Sequence, residues 1–213
     1  MLTLHGYYRS SASFRVRIAL NLKGLEARHV SHHLRRNEQR APAFLALNPQ
    51  GLVPALQTED GNVLVQSMAI IEYLDETHPS PAFLPADPAG RARVRALADL
   101  IACDIHPIDN LRVLRYLRKE MGQDEAAVQR WYNHWIAEGF DALEPMLAAG
   151  PAGRFCHGDT PGLADICLVP QVVNSRNFKL DLSPYPTITR IFDECLALPA
   201  FAAAMPERQP DAE

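Results

Sequence analysis

The stretch Arg9-Ser10-Ser11-Ala12-Ser13-Phe14-Arg15-Val16-Arg17-Ile18-Ala19-Leu20 decides the fold. It follows a short apolar strand candidate, Leu2–Leu4, and its apolar residues recur at helical spacing, which predicts a helix. Ser10 and Ser11 stand at the helix start, where backbone N–H groups are unpaired and the helix dipole is positive. A helix start of this kind can hold an anion such as a thiolate. Taken alone, the two serines indicate no more than a helix cap.

Outward from this helix, residues 1–82 alternate between strand and helix patterns, which is typical of an α/β layer. Gly24 indicates a helix end, and Asp60-Gly61 indicates a hairpin turn. The predicted strands span 2–4, 27–30, 53–57 and 63–65, and the predicted helices span 11–23, 38–47 and 67–77.

The pattern changes after a proline-rich connection between Pro79 and Pro88. Helical patterns follow over residues 89–120, 125–149, 163–177 and 186–196, and none of the later segments predicts a strand. Pro107 is expected to kink or break the first of these helices. We therefore expect an α/β domain at residues 1–82 and an all-helical domain at residues 88–213.

Composition excludes several classes of protein. The 213 residues are 47% hydrophobic and 22% charged, which favours a packed globular chain. A net charge of -4 argues against nucleic-acid binding, and no apolar run is long enough to span a membrane. The start of the sequence lacks a signal-peptide pattern, so a cytoplasmic protein is expected. The scattered cysteines are expected to be reduced thiols; they are Cys103, Cys156, Cys167 and Cys195.

Two short motifs near the first helix can also serve a binding site. Pro54 opens a predicted strand, so Val53-Pro54 marks an edge or a turn where a peptide can pair with the backbone. On frequency alone, a trans bond before Pro54 is expected. Ser67 opens the next helix after Gln66, and it is expected either to cap that helix or to help hold a carboxylate.

In this order and spacing, the serine motif, Val53-Pro54 and Gln66-Ser67 resemble the zeta class of the glutathione transferase family. The likeness extends through Cys103-Asp104-Ile105-His106-Pro107 to Gly158-Asp159-Thr160-Pro161, and so covers nearly the whole chain. It implies a thioredoxin-like first domain, a helical second domain and a homodimer. It further implies glutathione as cofactor and cis–trans isomerisation of maleylacetoacetate or maleylpyruvate as activity.

The resemblance also assigns roles to individual residues. Ser10 and Ser11 lie where the glutathione thiolate is received, with Arg9 beside them. Val53 precedes a proline that is cis in the family. The implied glutathione-binding residues are Gln39, Gln50, Val53, Pro54, Gln66, Ser67 and, reaching across a dimer, Asp104.

The implied substrates are small dicarboxylates, so an acidic protein needs local positive charge to bind them. Arginine suits this task, because its guanidinium binds a carboxylate through two parallel hydrogen bonds. Taken singly, an arginine on a helix is more often a solvated surface residue. The candidate substrate-binding residues are Arg9, His106, Asn110, Arg112 and Arg176.

The chain departs from the family pattern at two points. Ala12 stands where the family has a cysteine, which removes a thiol that isomerisation does not require. Gly162 stands where a serine or threonine usually forms a capping box, and Asp165 is still expected to reach back to the chain. The clustered His29, His32 and His33 lack further ligands at metal-binding spacing, so no metal site is expected.

The hypothesis from sequence is a reaction in which the glutathione sulfur adds to the cis double bond, the bond rotates, and the sulfur is eliminated. A general glutathione transferase that conjugates or dehalogenates small electrophiles remains an alternative within the enzyme class. A non-catalytic glutathione-binding protein remains an alternative outside it, since a fold does not determine a function.

Overall fold

The computed structural model describes residues 1–213, which fold into two compact units. The first unit contains residues 1–82 and 196–213, and the second contains residues 83–195. The expected helical domain at 88–213 thus differs from the structure, because residues 196–213 pack on the first unit. No helix of the chain combines the length and the hydropathy that a membrane crossing requires.

A four-stranded mixed sheet forms the centre of the first unit, in the order β2-β1-β3-β4. β1 pairs with β2 in parallel and with β3 in antiparallel orientation, and β3 pairs with β4 in antiparallel orientation. The strands are β1 (Leu2–Gly6), β2 (Ala27–Ser31), β3 (Ala55–Gln57) and β4 (Val63–Val65).

Ten α-helices complete the two units. In the first unit, α1 packs against α3 and α10. The helices are α1 (Ser11–Leu22), α2 (Pro42–Leu47), α3 (Ser67–Thr77), α4 (Pro88–Asp99), α5 (His106–Asp109), α6 (Leu111–Lys119), α7 (Glu125–Ala148), α8 (Leu163–Asn177), α9 (Pro186–Leu196) and α10 (Pro199–Ala204).

Most elements of the first unit lie where the sequence predicts them. α1 ends before Gly24, whose φ of 65° is the left-handed conformation that a glycine adopts freely. The predicted helix at 38–47 is wrong as one element: a 3₁₀ turn, Glu38–Arg40, is followed by extended Ala41, and α2 begins at Pro42. A residue before proline disfavours the helical conformation, which explains the interruption.

The long helix predicted at 89–120 is also divided, but Asn110 divides it rather than Pro107. Residues Leu100–Ile105 form a π-helical turn in which the His106 N–H donates to the Ile101 carbonyl. This wider turn comes just before Pro107, which has no N–H to donate. The chain is extended only at Asn110, with ψ of 162°, and α6 starts afresh after it.

Asp165 performs the structural role that the sequence suggests. It is 1% exposed, and its two carboxylate oxygens accept hydrogen bonds from the backbone N–H groups of Gly162 and Cys156, both at 2.9 Å. One carboxylate therefore caps the start of α8 and fixes the preceding loop, although Gly162 has no side chain to contribute.

Candidate functional site

The strand pairing of the first unit brings four chain segments to one edge of the sheet, the edge at which β1, β2 and β4 end and β3 begins. Gly6, at the end of β1, pairs with Ser31 at the end of β2. His5 pairs with Ala55 at the start of β3, and Ala55 pairs with Val65 at the end of β4. The segments that leave or enter the sheet here carry Ser10, Gln39, Val53-Pro54 and Gln66-Ser67. The glutathione-site residues predicted in the first unit therefore share one side of the sheet.

Ser10 is the N-cap of α1. Its backbone is extended, and its Oγ accepts the Ser13 N–H at 3.2 Å. Because a hydroxyl can accept and donate at the same time, this cap leaves the Ser10 O–H free to donate to an anion. Ser10 and Ser11 are half-buried, and Arg9 beside them is exposed. The sequence motif thus serves as a cap and retains a donor.

α3 starts at the same edge with Gln66 as its N-cap residue, in a positive-φ conformation of 71°. The expectation that Ser67 is the N-cap is wrong. Ser67 is the first helical residue, and its Oγ accepts a hydrogen bond from the Arg15 guanidinium at 3.0 Å. Both partners are buried. Neither α1 nor α3 has an acidic residue in its first turn, so no carboxylate of that turn neutralises the positive end of either helix dipole.

The loop before β3 is held by Asn48. Its Nδ2 donates to the Leu52 carbonyl at 2.7 Å, and its Oδ1 accepts the Gln50 N–H at 3.1 Å. The Val53–Pro54 bond is cis, as the resemblance implies, and the trans bond expected on frequency alone is wrong. Val53 takes no part in the backbone hydrogen bonds outside helices and strands, so its N–H and C=O remain free to pair.

The predicted glutamines differ in exposure. Gln50 and Gln66 are exposed, and the Gln66 Nε2 donates to the Gln50 Oε1 at 2.9 Å. Gln39 is only 6% exposed, and its Oε1 has no hydrogen-bond partner. A buried amide oxygen without a partner is costly, so the Gln39 Oε1 is available to accept an N–H group.

The remaining candidates lie in the second unit. Asp104 is exposed in the π-helical turn, and His106 is half-buried at the start of α5. The Asn110 side chain binds the local backbone: its Oδ1 accepts the Arg112 N–H at 3.0 Å, and its Nδ2 donates to the Pro107 carbonyl at 2.9 Å. Asn110 therefore fixes where α6 begins, and Arg112 extends from the first turn of α6 with an exposed side chain.

Arg176, near the end of α8, has its guanidinium carbon 4.2 Å from the centre of the Phe192 ring. Its closest carboxylate contact is long, 3.8 Å to Asp193 Oδ1. Stacking on a ring uses the face of a guanidinium and leaves its edge N–H groups able to bind a carboxylate. Arg176 is thus a pre-positioned cation rather than half of a close ion pair.

Asp109 is a residue that sequence reasoning missed. It is 5% exposed at the end of α5, next to Asn110, and neither of its carboxylate oxygens has a hydrogen-bond partner. Burial raises the pKa of Asp109 to about 8. Tyr132 of α7 is also buried, and burial followed by the charge of Asp109 raises the pKa of its phenol. No local pattern in the sequence distinguishes this aspartate from an exposed one.

Comparison with known proteins points in the same direction as the geometry. The sequence profile of the glutathione S-transferase N-terminal domain matches residues 9–77. The chain is similar to maleylpyruvate isomerase from Ralstonia sp., with 54% identity over 211 residues, which is 99% of each chain.

Two solved structures are also similar. One is a holo maleylpyruvate isomerase, described as a bacterial zeta-class glutathione transferase, with 53% identity and a TM-score of 0.97 over 99% of this chain and 100% of that one. The other is maleylacetoacetate isomerase from Methylobacterium extorquens with bound malonate and glutathione, with 44% identity and a TM-score of 0.96 over 99% of each chain.

Replacing the Asp109 carboxyl by an uncharged amide should stabilise the protein, by an amount that grows as the pH rises from about 4 to about 8. The folded state keeps this proton up to about pH 8, whereas an unfolded aspartate loses it near pH 4, so the stabilising contribution is full below about pH 4 and is lost as the pH rises toward 8. Asp109→Asn should raise the free energy of unfolding at pH 7 by about 2–4 kcal/mol, at about 1.4 kcal/mol per pKa unit. Urea unfolding at pH 5 and pH 8 tests this, and an equal change at both values would contradict it.

Proposed function

Because the chain belongs to the zeta class of the glutathione transferase family, we propose that it is a glutathione-dependent cis–trans isomerase of maleylpyruvate or maleylacetoacetate. When bound, glutathione would supply the sulfur nucleophile: addition to the cis double bond leaves a single bond that can rotate, and loss of the sulfur re-forms the double bond in the trans configuration. The chain's own groups bind the tripeptide, keep its sulfur ionised and orient the dicarboxylate. Relatives named for each of the two substrates resemble this chain closely, so both remain candidates.

One observation carries this proposal. The starts of α1 and α3, neither with an acidic residue in its first turn, lie at the same edge of the sheet as the unpaired backbone of Val53. Glutathione is a tripeptide with an anionic thiol, a terminal amine and two carboxylates. The start of α3, with Gln66 and Ser67, suits the γ-glutamyl carboxylate, and the Val53 backbone suits the cysteinyl amide. The unpartnered Oε1 of Gln39 fits an N–H group of the same ligand.

Ser10 is the residue we propose for the thiolate. Its oxygen already accepts the Ser13 N–H, so its proton is directed away from the helix and can be donated to sulfur. Together with the positive end of the α1 dipole, this hydrogen bond lowers the pKa of the bound thiol. Ser11 provides a second hydroxyl at the next position.

The charge that develops on the substrate carbonyl oxygen requires donors, and the two carboxylates of the substrate require cations. We propose Arg9, Arg112 and Arg176 for these tasks, with His106 as a further substrate contact. The malonate bound by the Methylobacterium extorquens relative is itself a small dicarboxylate, which supports a dicarboxylate as the substrate class here. Asn110 acts through the start of α6, which presents Arg112.

Ser10→Ala should lower kcat by about 10- to 1000-fold, the range for the loss of one stabilising donor. Ser11→Ala is expected to have a smaller effect. The measurement is glutathione-dependent isomerisation of maleylpyruvate and of maleylacetoacetate, which also identifies the preferred substrate. Wild-type turnover by the double alanine variant would exclude the serine mechanism.

Arg112→Ala and Arg176→Ala should each lower kcat/KM for the dicarboxylate by about 10- to 150-fold, because each removes a charge-assisted pair. Glutathione affinity should change little, since its proposed contacts in this chain are mainly in the first unit. Exposed Arg130 of α7 is the matched control, as Arg130→Ala removes the same charge from another helix. Unchanged kcat/KM in both test variants would favour the general transferase.

We further propose a cytoplasmic homodimer in which Asp104 reaches the glutathione bound by the partner. Light scattering at micromolar concentration should give twice the 23.7 kDa mass of one chain. In the dimer, Asp104→Ala should weaken glutathione binding. A fully active monomer would refute both statements.

A further inference from the structure

The segment 209–213 binds the loop that leads into Ser10, although about 200 residues separate them in sequence. The Tyr8 N–H donates to Asp211 Oδ2 at 3.1 Å. The same oxygen accepts the Ser31 hydroxyl at 2.6 Å. One carboxylate thus joins the loop after β1 to the end of β2. The proposed function uses none of these contacts.

The carbonyls of the same loop are held from the other side by Arg17 of α1. This guanidinium donates to the Tyr8 carbonyl and to the Ala204 carbonyl, each at 3.1 Å, and more weakly to the Tyr7 carbonyl at 3.5 Å. Arg17 is 4% exposed, and burial lowers its pKa to about 10 while the charge of Asp211 opposes the shift. Asp211 therefore contributes a negative charge near this buried cation.

Both backbone polar groups of Tyr8 are consequently fixed by charged side chains. Ser10, two residues later, donates its own N–H to the Tyr7 carbonyl at 3.0 Å. Tyr8, Arg17, Ser31 and Asp211 also line a cavity of about 140 Å³. The Tyr8 ring packs against Tyr7, with 4.8 Å between ring centroids, while hydrogen bonds hold the Tyr8 backbone beside this cavity.

Glu213 makes a second attachment, to the segment that leads to Gln39. Its carboxylate lies 3.2 Å from His33 Nε2 and accepts a hydrogen bond from the Arg36 guanidinium at 3.0 Å. These contacts are largely exposed, so each is worth little energy by itself. Segment 209–213 nevertheless contacts both chain segments that approach the proposed glutathione site, at Tyr8 before Ser10 and at His33 and Arg36 before Gln39.

We propose that Asp211 is a positioning residue for thiolate formation: by holding the Tyr8 N–H against the pull of Arg17, it sets the loop that aims the Ser10 hydroxyl. The inference rests on the proposed role of Ser10. Asp211 touches neither glutathione nor substrate, and it acts only through the backbone of Tyr7–Ser10. Displacement of that backbone weakens the hydrogen bond from Ser10 to sulfur, because hydrogen bonds weaken steeply when they are misaligned.

The test is the pKa of the bound glutathione thiol, followed by ultraviolet absorbance of the thiolate across a pH series. Asp211→Ala should move this pKa upward, toward that of free glutathione, and should lower kcat at neutral pH by about 3- to 10-fold, the equivalent of one hydrogen bond. Asp211→Asn keeps an oxygen for the Tyr8 N–H and should recover most of the loss. Recovery by this variant distinguishes the hydrogen bond from the charge.

Glu207→Ala is the matched control, since it removes an exposed carboxylate from the same region. If the thiol pKa of wild-type protein equals that of free glutathione, the proposed thiolate site fails, independently of Asp211. If the wild-type pKa is lowered and Asp211→Ala leaves it unchanged, the positioning role is refuted. If Asp211→Ala folds poorly, Ser31→Ala provides the test: it removes the other hydrogen bond to Asp211 Oδ2 and should raise the thiol pKa by a smaller amount, and an unchanged pKa would refute the role. A pKa that rises equally in Ser31→Ala and Glu207→Ala would also refute the role.

Discussion

The register of β1 is the constraint on which the first unit depends. β1 pairs with β2 in parallel and with β3 in antiparallel orientation, so strand ends of both kinds meet at one edge. A shift by one residue would turn every side chain of the strand to the opposite face of the sheet. It would also separate the starts of α1 and α3 from the loop at Val53. The geometry of the proposed site therefore depends on strand pairing before it depends on any polar side chain.

Two buried arginines of α1 hold the neighbouring segments in place by hydrogen bonds. Arg15 and Arg17 lie two residues apart on α1 and therefore point in different directions around the helix. Arg15 holds Ser67 at the start of α3, and Arg17 holds Tyr7 and Tyr8 before α1. The helix that presents Ser10 thus also fixes its neighbours. Burying a cation is costly, so both guanidinium groups depend on these hydrogen bonds.

Local patterns were sufficient to predict most elements, because apolar spacing, Gly24 and the Asp60-Gly61 turn act within a few residues. The same patterns failed where the end or start of an element depends on a single residue other than the expected one. Pro42 divided a predicted helix, Asn110 rather than Pro107 ended another, and Gln66 replaced Ser67 as a cap. The roles proposed for residues of the first unit rest on the family resemblance. Asp109 and Asp211 were not predictable, since their burial and partners arise from contacts distant in sequence.

The return of residues 196–213 to the first unit has a consequence for the order of folding during synthesis. Residues 83–195 form a continuous unit, whose contacts can all form once that stretch has left the ribosome. The first unit emerges earlier but cannot complete its contacts then, because the Arg17 guanidinium lacks the Ala204 carbonyl until 187 further residues are made. Contacts of such long range slow folding. The face of α1 that packs against α10 thus remains uncovered while the helical unit is already able to fold.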